Sequence, residues 1–70
     1  MEEKTAFING RSVSVPSVAS SEELVHAGHI APGRQLILKR RDGSYALKPG
    51  QQVRVMPGDH FADAPRRTKG

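Results

Sequence analysis

Phe7-Ile8-Asn9-Gly10-Arg11-Ser12-Val13-Ser14-Val15-Pro16 decides how this chain begins to fold. Asn9-Gly10 joins two β-prone runs, residues 5–8 and 11–15. A type I′ turn needs positive φ at both central residues, and Asn-Gly supplies them at the least steric cost. The stretch therefore predicts a tight hairpin. In its second strand Val13 and Val15 share one face while Ser12 and Ser14 share the other. Pro16 has no N–H to donate to a ladder, so the strand ends there. Either Phe7 or Ile8 belongs to the core, because neighbours in a strand point to opposite sides.

Working outward from the hairpin, Ser20-Ser21-Glu22-Glu23 carries the capping-box pattern, with Ser20 at the N-cap and Glu23 three residues on. Leu24, Ala27 and Val25 give a helix of about two turns one apolar stripe, and Gly28 is expected as a left-handed stop. Ile30 folds back beneath the helix, and Ala31-Pro32-Gly33 turns the chain. Gln35-Leu36-Ile37-Leu38-Lys39-Arg40 reads as a central strand, Arg41-Asp42-Gly43-Ser44 as a turn and Tyr45-Ala46-Leu47 as a return strand. Gln52-Val53-Arg54-Val55-Met56 alternates cleanly and is expected to be the last strand. Asp59-His60-Phe61 is expected as one more turn with Phe61 docked. Residues 62–70 hold no apolar side chain larger than alanine and are expected to be a flexible tail. A hairpin, a crossing helix and three further strands make a two-layer α+β domain. With the first and last strands paired in parallel at the sheet centre, that is a β-grasp over residues 1–61. Its expected core is Phe7 or Ile8, Val13, Val15, Leu24, Ala27, Ile30, Leu36, Leu38, Leu47, Val53 and Val55.

Seventy residues allow one domain and a thin core. A chain this short buries only roughly 60% of its unfolded surface, which leaves little interior for a catalytic cleft. No apolar run approaches the ~20 residues that span a bilayer, and Met1-Glu2-Glu3-Lys4 does not resemble a signal peptide. The expected address is cytoplasmic, with no membrane partner. The absence of cysteine removes disulfides, thiolate chemistry and Cys-based zinc sites together.

Candidate chemistry is sparse. His26 and His29 stand three apart, but Gly28 interrupts their helix and no Cys joins them, so they read as surface histidines. Glu22 and Glu23 diverge on a helix and are accounted for by capping and the helix dipole. Pro57-Gly58-Asp59 lacks the glycine density and the lysine of a phosphate loop. The chain is thus expected to be no enzyme and to need no cofactor or metal. The net charge of +4 invites a nucleic-acid partner. Against it, single-strand binders interleave exposed aromatics with basic residues, and this chain has three aromatics in all, Phe7, Tyr45 and Phe61.

One surface feature stands out. If Leu36 and Leu38 face the helix, Ile37 faces away; if Val53 and Val55 are buried, Arg54 and Met56 share the open side. Ile37, Arg54 and Met56 are then a compact partner-binding patch, the alternative being that Ile37 is a lone surface apolar residue.

The order of elements, Gln35-Leu36-Ile37-Leu38 before the Asp42-Gly43 turn, and Gln52-Val53-Arg54-Val55-Met56 resemble a ubiquitin-like protein over roughly residues 4–61. More narrowly, Phe7-Ile8-Asn9-Gly10 with Val13, Val15 and Pro16, then Gly28, is similar to the bacterial multiubiquitin family. That resemblance implies a protein modifier joined to target proteins through an amide, ester or thioester. The expected partners are an E1-like activating enzyme, an E2-like conjugating enzyme and a JAB-type peptidase. It also implies that Ile37, Arg54 and Met56 form the recognition face and that Gly70 is the point of conjugation. A glycine end, free of a side chain, enters a narrow active site easily. Ubiquitin ends in Gly-Gly directly after its last strand, whereas Lys69-Gly70 ends a longer stretch here, and the lysines number four, Lys4, Lys39, Lys48 and Lys69. The nine residues 62–70 reach up to about 30 Å at roughly 3.3–3.6 Å each. Arg66, Arg67 and Lys69 would pair with acidic groups along an enzyme channel. The alternatives are a sulfur carrier of the same fold, which should end Gly-Gly close to the last strand, and a nonconjugated interaction module.

Overall fold

A computed structural model describes residues 2–65. Along them run β1 (Glu3–Ile8), β2 (Arg11–Pro16), β3 (Val18–Ser20), α1 (Ser21–Ala27), β4 (Arg34–Arg40), β5 (Gly43–Leu47), β6 (Gln52–Arg54) and β7 (His60–Pro65). The hairpin forms as its turn chemistry dictates. Asn9 and Gly10 take φ of 53° and 80°, and Ile8 pairs with Arg11. Five strands lie in the order β2-β1-β7-β4-β5, with β1 and β7 parallel and the other neighbours antiparallel. β3 and β6 make a separate antiparallel ribbon. The domain is α+β, a mixed sheet with one short helix.

The centre of that sheet is not the segment the alternation favoured. Within residues 52–56 only Gln52–Arg54 are strand, and they pair with Val18–Ser20. The central strand is His60–Pro65, so residues 62–65, expected to begin a flexible tail, are ordered in the sheet. The cause is pairing on both sides. Phe7 and Asn9 donate their N–H groups to the carbonyls of Asp59 and Phe61 at 2.9 and 2.8 Å. Six residues of β4 oppose β7 on its other side. Phe61, 2% exposed, anchors the strand in the core. Ala62 and Ala64 carry no hydropathy signal because they need only fit between neighbours. The remainder of the expected tail, 66–70, lies outside the described residues.

Helix α1 starts as its sequence requires. Glu23 N–H donates to Ser20 Oγ at 3.1 Å, and Ser20 N–H donates to Glu23 Oε1 at 2.8 Å. Its other end differs from the expectation. Gly28 has φ −90°, and His29 is the left-handed residue, with φ 54°. His29 N–H reaches the His26 carbonyl and Ile30 N–H the Val25 carbonyl, the paired bonds of a Schellman end. Gly28 is required for another reason: a Cβ there would sit 2.4 Å from Ile8 Cγ2. The helix end rests directly on the first strand.

The buried core is Ala6, Ile8, Val15, Ala19, Leu24, Leu36, Leu38, Leu47, Val53, Val55 and Phe61. Ile8, not Phe7, is the inward residue, and Val13, Val25, Ala27 and Ile30 are partly buried against this cluster. No helix among the described residues is long and apolar enough to cross a membrane.

Candidate interaction surface

Alternation along β4 sends Leu36 and Leu38 into the core and leaves half-buried Ile37 on the opposite side. Ile37 has Ala46 of β5 on one flank and Ala62 of β7 on the other. Two small neighbours leave it partly accessible on that face. One row along, Lys39 lies between Ser44 and His60, and His60 lies beside Phe7. The Phe7 and His60 rings stack with centroids 4.9 Å apart and planes 14° apart. Glu3, on this same phase of β1, accepts a 2.6 Å hydrogen bond from Ser14 Oγ. The face is thus a shallow apolar floor with a ring pair and one lysine.

Arg54 and Met56 are not part of it. Arg54 opposes Val18 in the small ribbon, because β6 pairs with β3 and not with β1. Arg54 and Met56 line a groove together with Val18 and Pro57, and Ile37 does not reach it. Val18 and Met56 are each 49% exposed there. The expected three-residue patch is therefore two surfaces. Arg66, Arg67, Lys69 and Gly70 lie outside the described residues.

Sequence reading missed the ion pair that holds these surfaces in register. Asp59, 5% exposed, accepts from Arg40 Nε at 3.0 Å and Arg40 Nη2 at 2.8 Å. Its Oδ2 also accepts from Met56 N–H at 2.9 Å, and its own N–H donates to the Met56 carbonyl at 3.0 Å. Arg40 Nη2 reaches the Arg54 carbonyl as well, at 3.0 Å. Burial opposes the Asp59 charge most strongly, but Arg40 and the Met56 amide outweigh it, and the carboxyl stays below its ordinary range. Further along β7, Asp63 accepts from Arg34 Nε at 2.6 Å. Arg34, then Asn9, hold the Asp63 carboxyl below its ordinary range too. The available signal was Pro57-Gly58-Asp59, a turn whose acid folds back on the residue before the proline.

A second depression of about 370 Å³ lies between α1 and the sheet, floored by Val25, Ile30, Leu36 and Leu47 with His26 and His29 at its rim. Among the described residues no three His, Cys, Asp or Glu side chains gather closely enough to hold a metal ion. No family model, curated protein or solved structure matches this chain.

Proposed function

We propose that this chain is a β-grasp domain of the ubiquitin-like kind and serves as a protein modifier, activated at Gly70 by an E1-like enzyme and passed through an E2-like enzyme to target proteins. The observation that supports it is the place of β7. The last described strand runs up the middle of the sheet, parallel to β1 and antiparallel to β4. In that arrangement whatever follows Pro65 is delivered from the most firmly held strand of the domain. The sequence after it, Arg66-Arg67-Thr68-Lys69-Gly70, is basic and ends in glycine. In this proposal the recognition face is the open side of the sheet around Ile37, with Ala46, Ala62 and the Phe7–His60 stack. Arg66, Arg67 and Lys69 steer the reactive end toward acidic groups of the activating enzyme.

Intact-mass measurement after incubation with ATP and an E1-like enzyme tests the proposal. An adenylate or thioester on the full chain, lost when Gly70 is deleted, is the expected result. Attachment of a protein lacking Gly70 overturns it, and a gain of sulfur in place of an adenylate transfers the chain to the sulfur carriers.

A further inference from the structure

We propose that the outer edge of β5 is a self-association surface, through which two copies of this chain pair antiparallel about a two-fold axis at Tyr45. Hydrogen bonds deep in the sheet determine which backbone groups of β5 are free. Phe7 and Asn9 donate to the carbonyls of Asp59 and Phe61, so these β7 residues address β1, and His60, Ala62 and Ala64 address β4. Their partners Lys39, Ile37 and Gln35 are consequently turned toward β7. Arg40, Leu38 and Leu36 must then address β5, where they pair with Gly43, Tyr45 and Leu47. By the same alternation Ser44 and Ala46 aim their N–H and C=O groups outward. Nothing among the described residues pairs with them, since β5 is the last strand on its side.

An antiparallel pair centred on Tyr45 joins these groups to each other. Ser44 exchanges both backbone bonds with the partner's Ala46, and Ala46 with the partner's Ser44. Tyr45, 44% exposed, meets its own copy across a non-hydrogen-bonded position, where Cα atoms approach to about 4.5 Å. The charges select this register. Asp42 and Lys48, both exposed, flank the two ends of β5, three residues before and three after Tyr45, so in this register each end carries a charge opposite in sign to that of the neighbouring end of the second copy, twice over. Moving the axis to Ser44 sets Arg40 against Lys48. Moving it to Ala46 sets Asp42 and Lys48 against uncharged Gly50 and Ser44. The other edge of the sheet offers no such match, because β2 ends on Pro16, which has no N–H.

Sedimentation equilibrium from micromolar to millimolar concentration tests the pairing. The mass is expected to climb from 7.6 kDa toward twice that value. Asp42→Lys and Lys48→Asp, each alone, place like charges opposite one another and should weaken association by about tenfold or more. The two substitutions together restore the unlike pairs and should restore association. Ala46→Pro removes an outward N–H without touching the bonds to β4, and should abolish it. A chain that stays monomeric throughout overturns the proposal. So does a dimer that survives either single reversal or Ala46→Pro, or a double reversal that fails to recover association.

Discussion

Asp59 and Arg40 meet through two hydrogen bonds, although one sits just before β7 and the other ends β4. The same aspartate passes its carbonyl to Phe7 N–H on β1. One buried aspartate, through its carboxylate and its main-chain carbonyl, thus ties the turn after Met56 to two strands of the sheet and marks where the central strand begins.

Arg40→Met strands the buried Asp59 carboxylate with only the Met56 amide. The expected loss is about 1–3 kcal/mol, the cost of leaving a buried acceptor short of its partner, because Arg40 itself is about a third exposed and the amide remains. Urea denaturation measures it, as a lower midpoint at unchanged slope. Arg40→Met combined with Asp59→Leu should be less damaging than Arg40→Met alone, since no unpaired charge is then buried. A double variant as unstable as the sum of two singles contradicts the assigned role.

The same pair gives a pH dependence with a definite sign. Asp59 and Asp63 both have carboxyl groups held below the ordinary value of 3.8. As the pH falls, the unfolded chain takes up their protons first, so it binds more protons than the fold does there. Their contribution is present above about pH 4 and lost as the pH falls through the depressed folded values. Thermal melts from pH 5 downward should show a falling Tm. The fall should be shallower for Asp59→Asn, measured against its own pH 5 value.

Gly28→Ala tests close approach against backbone freedom. At φ −90° alanine suffers no backbone strain, and helix propensity alone favours it by up to ~1 kcal/mol. The new Cβ, however, lies 2.4 Å from Ile8 Cγ2. The expected outcome is a net loss of about 1–3 kcal/mol through overpacking, read by thermal or urea denaturation. His29→Gly, at the left-handed position, should be neutral or stabilising in the same assay. A stabilised Gly28→Ala protein would show that Ile8 moves aside freely.

Leu36 is buried between Leu47 and Asp63 in the middle of the sheet. Leu36→Ala should cost about 2–5 kcal/mol, a large part of what a domain this size has in reserve. Its neighbour Ile37 points the other way. Ile37→Ala should lower the melting midpoint much less than Leu36→Ala does, because Ile37 is only half-buried, while weakening capture by an E1- or E2-like protein about fivefold or more, as an interface anchor does. Arg54→Ala with Met56→Ala, on the separate groove, should leave that capture intact. Binding lost from the second protein and kept by the first would move the recognition face to the ribbon.

Much of this chain was legible because its signals are local. Asn9-Gly10 specified a turn through backbone sterics, Ser20 and Glu23 specified a helix start through reciprocal hydrogen bonds, and alternation placed Leu36, Leu38, Val53 and Val55 inside. Each rule acts within a few residues and needs no knowledge of the rest of the molecule. The choice of central strand lay beyond such rules. Residues 52–56 alternate better than 60–65, yet β7 takes the place between β1 and β4 because its backbone finds partners on both sides. Pairing across more than fifty residues of chain leaves no mark on the hydropathy of Ala62 or Ala64. The surface followed the same division. Sequence alone turned Ile37 outward, since alternation is a property of one strand. Which side chains stand beside it, Ala46 and Ala62 in place of Arg54 and Met56, was settled only when tertiary hydrogen bonding fixed the order of the strands.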